Sequence, residues 1–170
     1  PLDFSGILTE GGTILGSSRQ PFKNMRKPDA NGMDKVAAMV NTYHKLKLDC
    51  LVILGGNGTH KSANMLREEG LNVVSLPKTI DNDLALTDHT PGFGSAAKYI
   101  GASTKEVIRD AQGLTYKKSM ITIMEVMGRN AGWLTGAAAL AKGEDCEGPD
   151  MIFLPEIPFD VDEFMKKIEQ

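Results

Sequence analysis

The residues of this chain best suited to chemistry lie at positions 76–83, in the stretch L-P-K-T-I-D-N-D. Two carboxylates, Asp81 and Asp83, stand two positions apart, and Lys78 and Thr79 come just before them. The apolar run V-V-S-L leads into the stretch and predicts a buried strand that ends in a turn. An ordinary turn needs no such set of charges. A site that handles a sugar hydroxyl, a metal ion and phosphate oxygens needs all of them.

A second candidate for chemistry is the segment G-G-N-G-T at 55–59, which follows the apolar run C-L-V-I-L. This run is short and bounded by glycine, which predicts a strand buried on both faces. A helix is predicted from about His60 to Glu69, with Thr59 as its N-cap. Strand, glycine loop and helix N-terminus together favour phosphate binding, because unpaired N–H groups point at the anion. The alternative is a glycine turn without a ligand, and a P-loop is excluded because His60 replaces a required glycine.

Two further loops carry polar residues after apolar runs. The small-residue segment at 13–18 ends in Arg19, whose guanidinium can bind phosphate oxygens in a bidentate manner; the alternative is a surface loop with a solvated arginine. Residues 120–126 predict a third strand that runs into M-G-R-N at 127–130. A strongly apolar helix is predicted to follow, from about Ala131 to Ala141.

The remaining periodicity completes an alternation of strands and helices. Apolar positions at helical spacing predict helices over 34–47, with Asp34 as N-cap, and over about 94–112. A fourth strand is predicted at 151–154, followed by a last helix at the C-terminus. A short helical pattern also occupies 2–10.

This alternation predicts one α/β domain over 1–170, with a doubly wound, mostly parallel sheet and helices on both faces. The loops at 55–59, 77–83 and 127–130 all follow predicted strands. Since the carboxyl ends of parallel strands line one crevice, these loops are expected to meet there.

Composition narrows the classes of partner. The 170 residues carry a net charge of −3 with acids and bases mixed, which argues against nucleic acid. No apolar run approaches the length of a membrane span, so the chain is expected to be cytoplasmic, with no membrane partner. Cys50 and Cys146 are expected to be free thiols, although they could pair. The three histidines show no metal-ligand spacing.

Taken together, several segments resemble the 6-phosphofructokinase family. They are G-G-T-I-L-G-S-S-R at 11–19, G-G-N-G-T at 55–59, P-K-T-I-D-N-D at 77–83, M-G-R-N-A-G at 127–132 and P-E-I-P-F at 155–159. Their order and spacing match the family over nearly the whole chain. P-K-T-I-D-N-D is highly specific, whereas lipid kinases and NAD kinases carry a similar glycine loop.

The resemblance implies phosphoryl transfer from ATP-Mg to the 1-hydroxyl of fructose 6-phosphate, a step of glycolysis, by a phosphotransferase with Mg²⁺. In that reaction Asp81 would be the base, Thr79 would contact the transferred phosphate or the sugar, and Asp83 would support the metal. Catalysis of phosphoryl transfer depends mainly on positioning and charge stabilisation. One carboxylate that orients and deprotonates the acceptor hydroxyl is therefore sufficient.

The resemblance also implies which residues would bind the two substrates. Those that would hold the donor phosphates are Arg19, Gly56, Asn57, Gly58, Thr59 and Lys78. Those that would contact the sugar phosphate, besides Thr79 and Asp81, are Met127, Gly128 and Arg129. The family glycine at Gly58 leaves room for a nucleotide, whereas Lys78 is typical of pyrophosphate users. ATP is the expected donor and pyrophosphate the alternative.

Departures from the family pattern leave other functions open. Asn57 replaces the usual metal-binding aspartate and would lower the affinity for Mg²⁺. Met120 replaces an arginine that commonly reaches a neighbouring subunit's sugar-phosphate site. A non-catalytic, ligand-binding homologue is therefore one alternative, and a lipid or NAD kinase is another.

The resemblance further implies that 1–170 is part of the larger N-terminal domain, without the second substrate domain. By itself such a chain is expected to have little or no kinase activity. In the full-length protein a homo-oligomer, dimer or tetramer, is expected.

Overall fold

The protein is described here by a computed structural model that covers residues 4–18, 20–114 and 120–169. Arg19 lies outside the described residues, as does the start of the pattern predicted at 2–10. Within the rest of that pattern the structure has a 3-10 helix at Ile7–Thr9, and a second 3-10 helix spans Phe22–Asn24. Gly6, which has a positive φ, is the N-cap of the first of these, and Glu10 is its C-cap.

A two-stranded parallel sheet with its helices forms the first half of the fold. Helix α1 spans Lys35–Lys45, strand β1 Leu51–Gly55, helix α2 Asn57–Glu68 and strand β2 Val73–Pro77. Leu51 pairs with Val73 and Gly55 with Pro77, so the two strands are in register along their whole length. A helix connects the two parallel strands, as such pairs require, and the α/β class is confirmed.

Helix α1 begins where the sequence predicts. The Asp34 side chain accepts a hydrogen bond from the N–H of Ala37 at 3.0 Å, which caps the helix. Tyr43 on α1 packs with Leu66 and Leu71, and Leu51, Ile53 and Val73 of the sheet lie against this cluster. A smaller core of Met25, Val36 and Met65 adjoins it.

The opposite face of the sheet is open, which corrects the prediction that β1 is buried on both faces. Val52 and Leu54 are each 57% exposed, and their partners Val74 and Leu76 are also exposed. Alternate residues of one strand point to opposite faces, so only one face meets α1 and α2.

The second half of the fold is helical. Helix α3 spans Phe93–Gly113, close to its predicted range, and α4 spans Trp133–Ala137 and continues as a 3-10 helix over Ala138–Ala141. A Cβ on Gly101 of α3 would lie 3.1 Å from Leu140, so glycine allows this close packing. Helix α5 spans Val161–Ile168, capped by Asp160.

The third and fourth predicted strands are not strands among the described residues. Residues 120–126 and 151–154 have no regular secondary structure and belong to no ladder. Ile123 is 81% exposed, and Met124 touches α3 through the hydroxyl of Thr104, which lies 3.5 Å from its sulfur. An apolar extended run becomes a strand only when a second edge lies in register to receive its hydrogen bonds.

Candidate functional site

The glycine loop and the loop after β2 meet at the carboxyl end of the sheet. The N–H of Lys78 donates to the carbonyl of Gly55 at 2.9 Å and extends the pairing of the strands by one residue. A Cβ built on Gly56 would lie 3.4 Å from Cβ of Thr79. These contacts bring the predicted donor-phosphate residues against the predicted catalytic stretch.

Helix α2 begins at Asn57, inside the predicted glycine loop. This is three residues before His60, where the sequence predicts the helix to begin. Gly56, not Thr59, is the N-cap, and it offers no side-chain hydrogen bond. Asn57, Gly58 and Thr59 therefore form the first turn, where backbone N–H groups have no partner within the helix. Such an uncapped N-terminus is suited to an anion, because N–H groups and the helix dipole both favour negative charge.

The position of Thr59 explains why glycine is needed at the end of β1. A Cβ on Gly55 would fall 2.4 Å from the Thr59 hydroxyl, which is too close for any side chain. Around Gly58, by contrast, an added Cβ would meet nothing within 4 Å. The loop is therefore closely packed at its base and open at Gly58.

Helix α2 is also joined to β2 through His60. Its Nδ1 lies 2.5 Å from the hydroxyl of Ser75, so one of the two atoms donates to the other. Nε2 of His60 is buried without a hydrogen-bond partner among the described residues. No group of histidines, cysteines and carboxylates in the described ranges could bind a metal ion by itself. The contact gives this histidine a structural role between α2 and β2.

Thr79 and Asp81 occupy a tight turn in which backbone hydrogen bonds hold Thr79. The N–H of Asp81 donates to Oγ1 of Thr79 at 3.2 Å, and the N–H of Thr79 donates to the carbonyl of Pro91 at 3.1 Å. Oδ1 of Asp81 is buried and has no hydrogen-bond partner in the described part of the chain. A buried carboxylate oxygen without a partner is costly and is typical of a group that meets a ligand.

Sequence reasoning did not single out Asn82 and Thr90, which hold this turn. Asn82 has φ 54° and is buried; its Oδ1 accepts from the N–H of Thr90 at 2.9 Å. Its Nδ2 donates to the carbonyl of Asp88 at 3.2 Å. The hydroxyl of Thr90, which is only 2% exposed, donates to the carbonyl of Thr79 at 2.7 Å.

The loop between these residues is thus closed at its base. Thr79 and Gly92 form an isolated parallel bridge, and Gly92 has φ 107°. A Cβ on Gly92 would lie 3.4 Å from the carbonyl of Thr79, so glycine permits both the conformation and the approach. For Asn82 the sequence carries one signal. Asparagine is, after glycine, among the residues that most often adopt a left-handed backbone.

The third predicted loop forms a turn of its own. Gly128 has φ 126°, and the N–H of Ala131 returns to its carbonyl at 3.3 Å, which makes a turn of the predicted sugar-phosphate residues. Met127 and Arg129 are exposed. No hydrogen bond or ion pair among the described residues joins these three residues to the other two loops.

A cavity lies between the segment 82–89 and the start of α4. It measures about 540 Å³ and is lined by Asn82, Thr87, Asp88, His89 and Trp133. The rings of His89 and Phe93 are stacked at 6.0 Å, and Trp133 meets Phe93 edge to face at 6.4 Å. The start of α4 is therefore packed against the start of α3, which follows the predicted catalytic stretch after residues 84–92.

Lys78 and Asp83, the remaining predicted site residues, are exposed at the rim of this arrangement. Mg²⁺ binds through one or two carboxylates together with substrate phosphates, and it keeps several waters. An exposed Asp83, the amide of Asn57 and the unpartnered oxygen of Asp81 are compatible with that kind of binding. They do not form a complete cage of protein ligands.

Comparison with known proteins decides the family. The family model described as phosphofructokinase matches residues 1–170. The chain belongs to the phosphofructokinase family. It is 49% identical over 164 residues to an ATP-dependent 6-phosphofructokinase of Spirochaeta thermophila, covering 95% of this chain and 42% of that protein. The chain thus spans less than half the length of this phosphofructokinase.

Other members of the family are named for a different donor. A pyrophosphate–fructose 6-phosphate 1-phosphotransferase of Amycolatopsis methanolica is 38% identical over 169 residues, covering 99% of this chain and 45% of that protein. The crystal structure of a pyrophosphate-dependent phosphofructokinase from Marinobacter aquaeolei superposes with a TM-score of 0.70 at 31% identity. That match covers 93% of this chain and 39% of the solved phosphofructokinase.

Proposed function

We propose that this chain supplies the donor-phosphate and catalytic loops of a 6-phosphofructokinase, which transfers a phosphoryl group from ATP to the 1-hydroxyl of fructose 6-phosphate. The observation that carries the proposal is the contact of an uncapped helix N-terminus with the Thr79 turn. Two residues further along that turn lies the unpartnered buried oxygen of Asp81. An anion site and a carboxylate that can accept a proton are thereby held side by side.

In this proposal each loop has one task. The N–H groups at the start of α2 orient the donor phosphates, with Arg19 and Lys78 as further cations. Asp81 accepts the proton of the sugar hydroxyl, and Thr79 orients the phosphoryl group that is transferred. Asp83 and Asn57 would hold Mg²⁺, which when bound neutralises charge on the donor phosphates. Met127, Gly128 and Arg129 bind the sugar phosphate.

Two observations support ATP as the donor. The space beside Gly58 is open, so a nucleotide is not excluded there. The relative at 49% identity is named as ATP-dependent. Lys78 supports pyrophosphate as a second candidate, together with the relatives named for that donor. The exposed position of Lys78 lets its side chain fold away from a larger donor.

A donor test on the full-length protein separates these candidates. Formation of fructose 1,6-bisphosphate is measured with ATP-Mg and, separately, with pyrophosphate-Mg. We expect a clear rate with ATP and little with pyrophosphate. A rate with pyrophosphate alone would reverse the donor assignment. If the protein binds fructose 6-phosphate but shows no rate with either donor, the result would support a non-catalytic homologue. The Asn57→Asp variant would then be tested for restored activity.

A further inference from the structure

The segment P-E-I-P-F at 155–159 has no role in the proposed mechanism. One of its side chains nevertheless contacts the end of residues 127–132, called here the sugar-phosphate loop. Oε1 of Glu156 accepts a hydrogen bond from the N–H of Gly132 at 2.7 Å. These residues are 24 positions apart in the chain. A carboxylate that accepts from a backbone N–H makes a stronger hydrogen bond than a neutral acceptor.

The packing around Gly132 shows that this contact is specific. A Cβ on Gly132 would lie 2.6 Å from Oε2 of Glu156 and 3.0 Å from Cδ2 of Leu154. Gly132 is buried and has φ −86°, a value that any residue can adopt. Glycine is therefore favoured here by the close approach of Leu154 and Glu156, and not by its backbone conformation.

Gly132 is also the residue at which the sugar-phosphate loop becomes helix. It is the N-cap of α4 and has no side chain with which to cap it. The turn from Gly128 to Ala131 precedes it directly. The Glu156 carboxylate accepts from the N–H of this N-cap residue, as the glutamate of a capping box does, but from a distant part of the chain.

We propose that Glu156 is a positioning residue for fructose 6-phosphate. Its carboxylate fixes the end of the 127–132 segment through Gly132, and thereby holds Met127, Gly128 and Arg129 in place. This inference rests on the proposed function, since it assigns those residues to the sugar phosphate. Glu156 itself does not touch the reacting atoms.

The test uses three variants of the full-length protein. Glu156→Ala removes the acceptor, and we expect it to raise the KM for fructose 6-phosphate roughly tenfold, the effect of losing one hydrogen bond to a charged group. The KM for ATP should not change. Glu156→Gln keeps an oxygen that can accept from Gly132 and should restore most of the affinity. Glu147→Ala, which removes an exposed glutamate from another loop, is the matched control and should behave as wild type.

A merely structural role for Glu156 would give a different result. It would lower the unfolding temperature and change kcat and both KM values together, and that outcome would overturn the proposal. A KM for fructose 6-phosphate that is unchanged in Glu156→Ala would overturn it as well.

Amide hydrogen exchange provides a readout that needs no turnover. In Glu156→Ala, but not in Glu156→Gln, exchange at 128–133 should become faster while exchange in α2 stays unchanged. If the wild-type protein neither binds nor phosphorylates fructose 6-phosphate, the proposed function fails and the substrate role of Glu156 fails with it. If binding is normal but exchange at 128–133 does not respond, only the inference about Glu156 fails.

Discussion

The unpartnered oxygen of Asp81 makes the amide substitution at this position informative. Asp81→Asn preserves the size of the side chain but removes its ability to accept a proton. We expect kcat of the full-length protein to fall about 10²- to 10⁴-fold, the usual contribution of a general base. The KM for ATP should stay close to that of wild type. Steady-state kinetics measure the effect, with Asp150→Asn as an exposed control; a kcat near wild type would show that Asp81 is not the base.

Thr90 provides a test of how the catalytic turn is held. Its hydroxyl donates to the carbonyl of Thr79 from a buried position. Thr90→Val keeps the shape but leaves that carbonyl unsatisfied, and we expect the free energy of unfolding to fall by about 1–3 kcal/mol. Thr90→Ser keeps the hydroxyl and should lose much less. Denaturant titration compares the two variants, and equal losses would mean that packing of the methyl group, not the hydrogen bond, matters.

Asp29 is the residue from which a pH effect can be expected. Its Oδ1 accepts from the N–H groups of Met33 and Asn31, and these hydrogen bonds lower the pKa of the carboxyl below its ordinary value of 3.8. A group with a lowered pKa in the folded state stabilises fully above its unfolded pKa, and this contribution is lost as the pH falls through the folded value. Asp29→Ala should therefore be less stable than wild type at neutral pH, and the difference should shrink in strong acid. Unfolding midpoints across that range measure it; a pH-independent difference would exclude the carboxylate as its source.

At the scale of elements, two glycines of the 55–59 loop allow folding and donor binding to be tested separately. Gly55→Ala would place a Cβ against Thr59, whereas Gly58→Ala meets nothing. We expect Gly55→Ala to destabilise the protein measurably. Gly58→Ala should be as stable as wild type or gain up to about 1 kcal/mol, because alanine favours helices over glycine. Any rise in the KM for ATP in Gly58→Ala then reports on the donor site alone. Thermal unfolding of both variants, read beside their kinetics, tests this, and a folding defect in Gly58→Ala would contradict it.

The elements that could be predicted from the sequence are those specified by local residues. Helix α1 with its Asp34 cap, the strand–glycine–helix unit and helix α3 all depend on neighbours within a few positions. The start of α2 was placed too late, because Thr59 is a good cap residue but its side chain lies beside Gly55. The predicted strands at 120–126 and 151–154 were wrong because an apolar run does not specify which edge will pair with it.

The meeting of two predicted loops could be expected from the sequence, but the hydrogen bonds that support them could not. Thr79 and Gly56 do meet, as expected from loops at one end of a parallel sheet. Asn82, Thr90 and Glu156 act through hydrogen bonds between positions that are distant in sequence. A single sequence contains no signal for such pairs, except that Asn82 suits a left-handed backbone.

At the scale of the whole molecule, the open face of the sheet is the main apolar surface of the first half of the fold. Val52 and Leu54 lie beside Val74 and Leu76 in register, which makes the exposed patch continuous. Continuous apolar patches bind hydrophobic dyes and promote association. We expect the 170-residue chain to bind such a dye, and Val52→Thr with Val74→Thr to reduce the binding. Val161→Thr on α5 is a matched exposed control, and an equal reduction there would show that the sheet face is not the binding surface.

The described residues also bear on the predictions about membranes and cysteines. The described residues contain no helix long and apolar enough to cross a membrane. Cys50 and Cys146 are both free thiols, as expected. The assignment of 1–170 to one domain, a cytoplasmic location and a homo-oligomeric state remain to be tested.

The bridge between Thr79 and Gly92 has a consequence for how such a protein can diversify. Because the chain leaves and returns at one point, residues 80–91 form a compact loop whose two ends are fixed by the scaffold. Between Asn82 and Asp88, whose hydrogen bond closes the loop, residues 84–87 can therefore change in length or type without altering the register of the sheet. The proposed base Asp81 and the turn that holds it would then form one transferable module, separate from helix α2 that faces it.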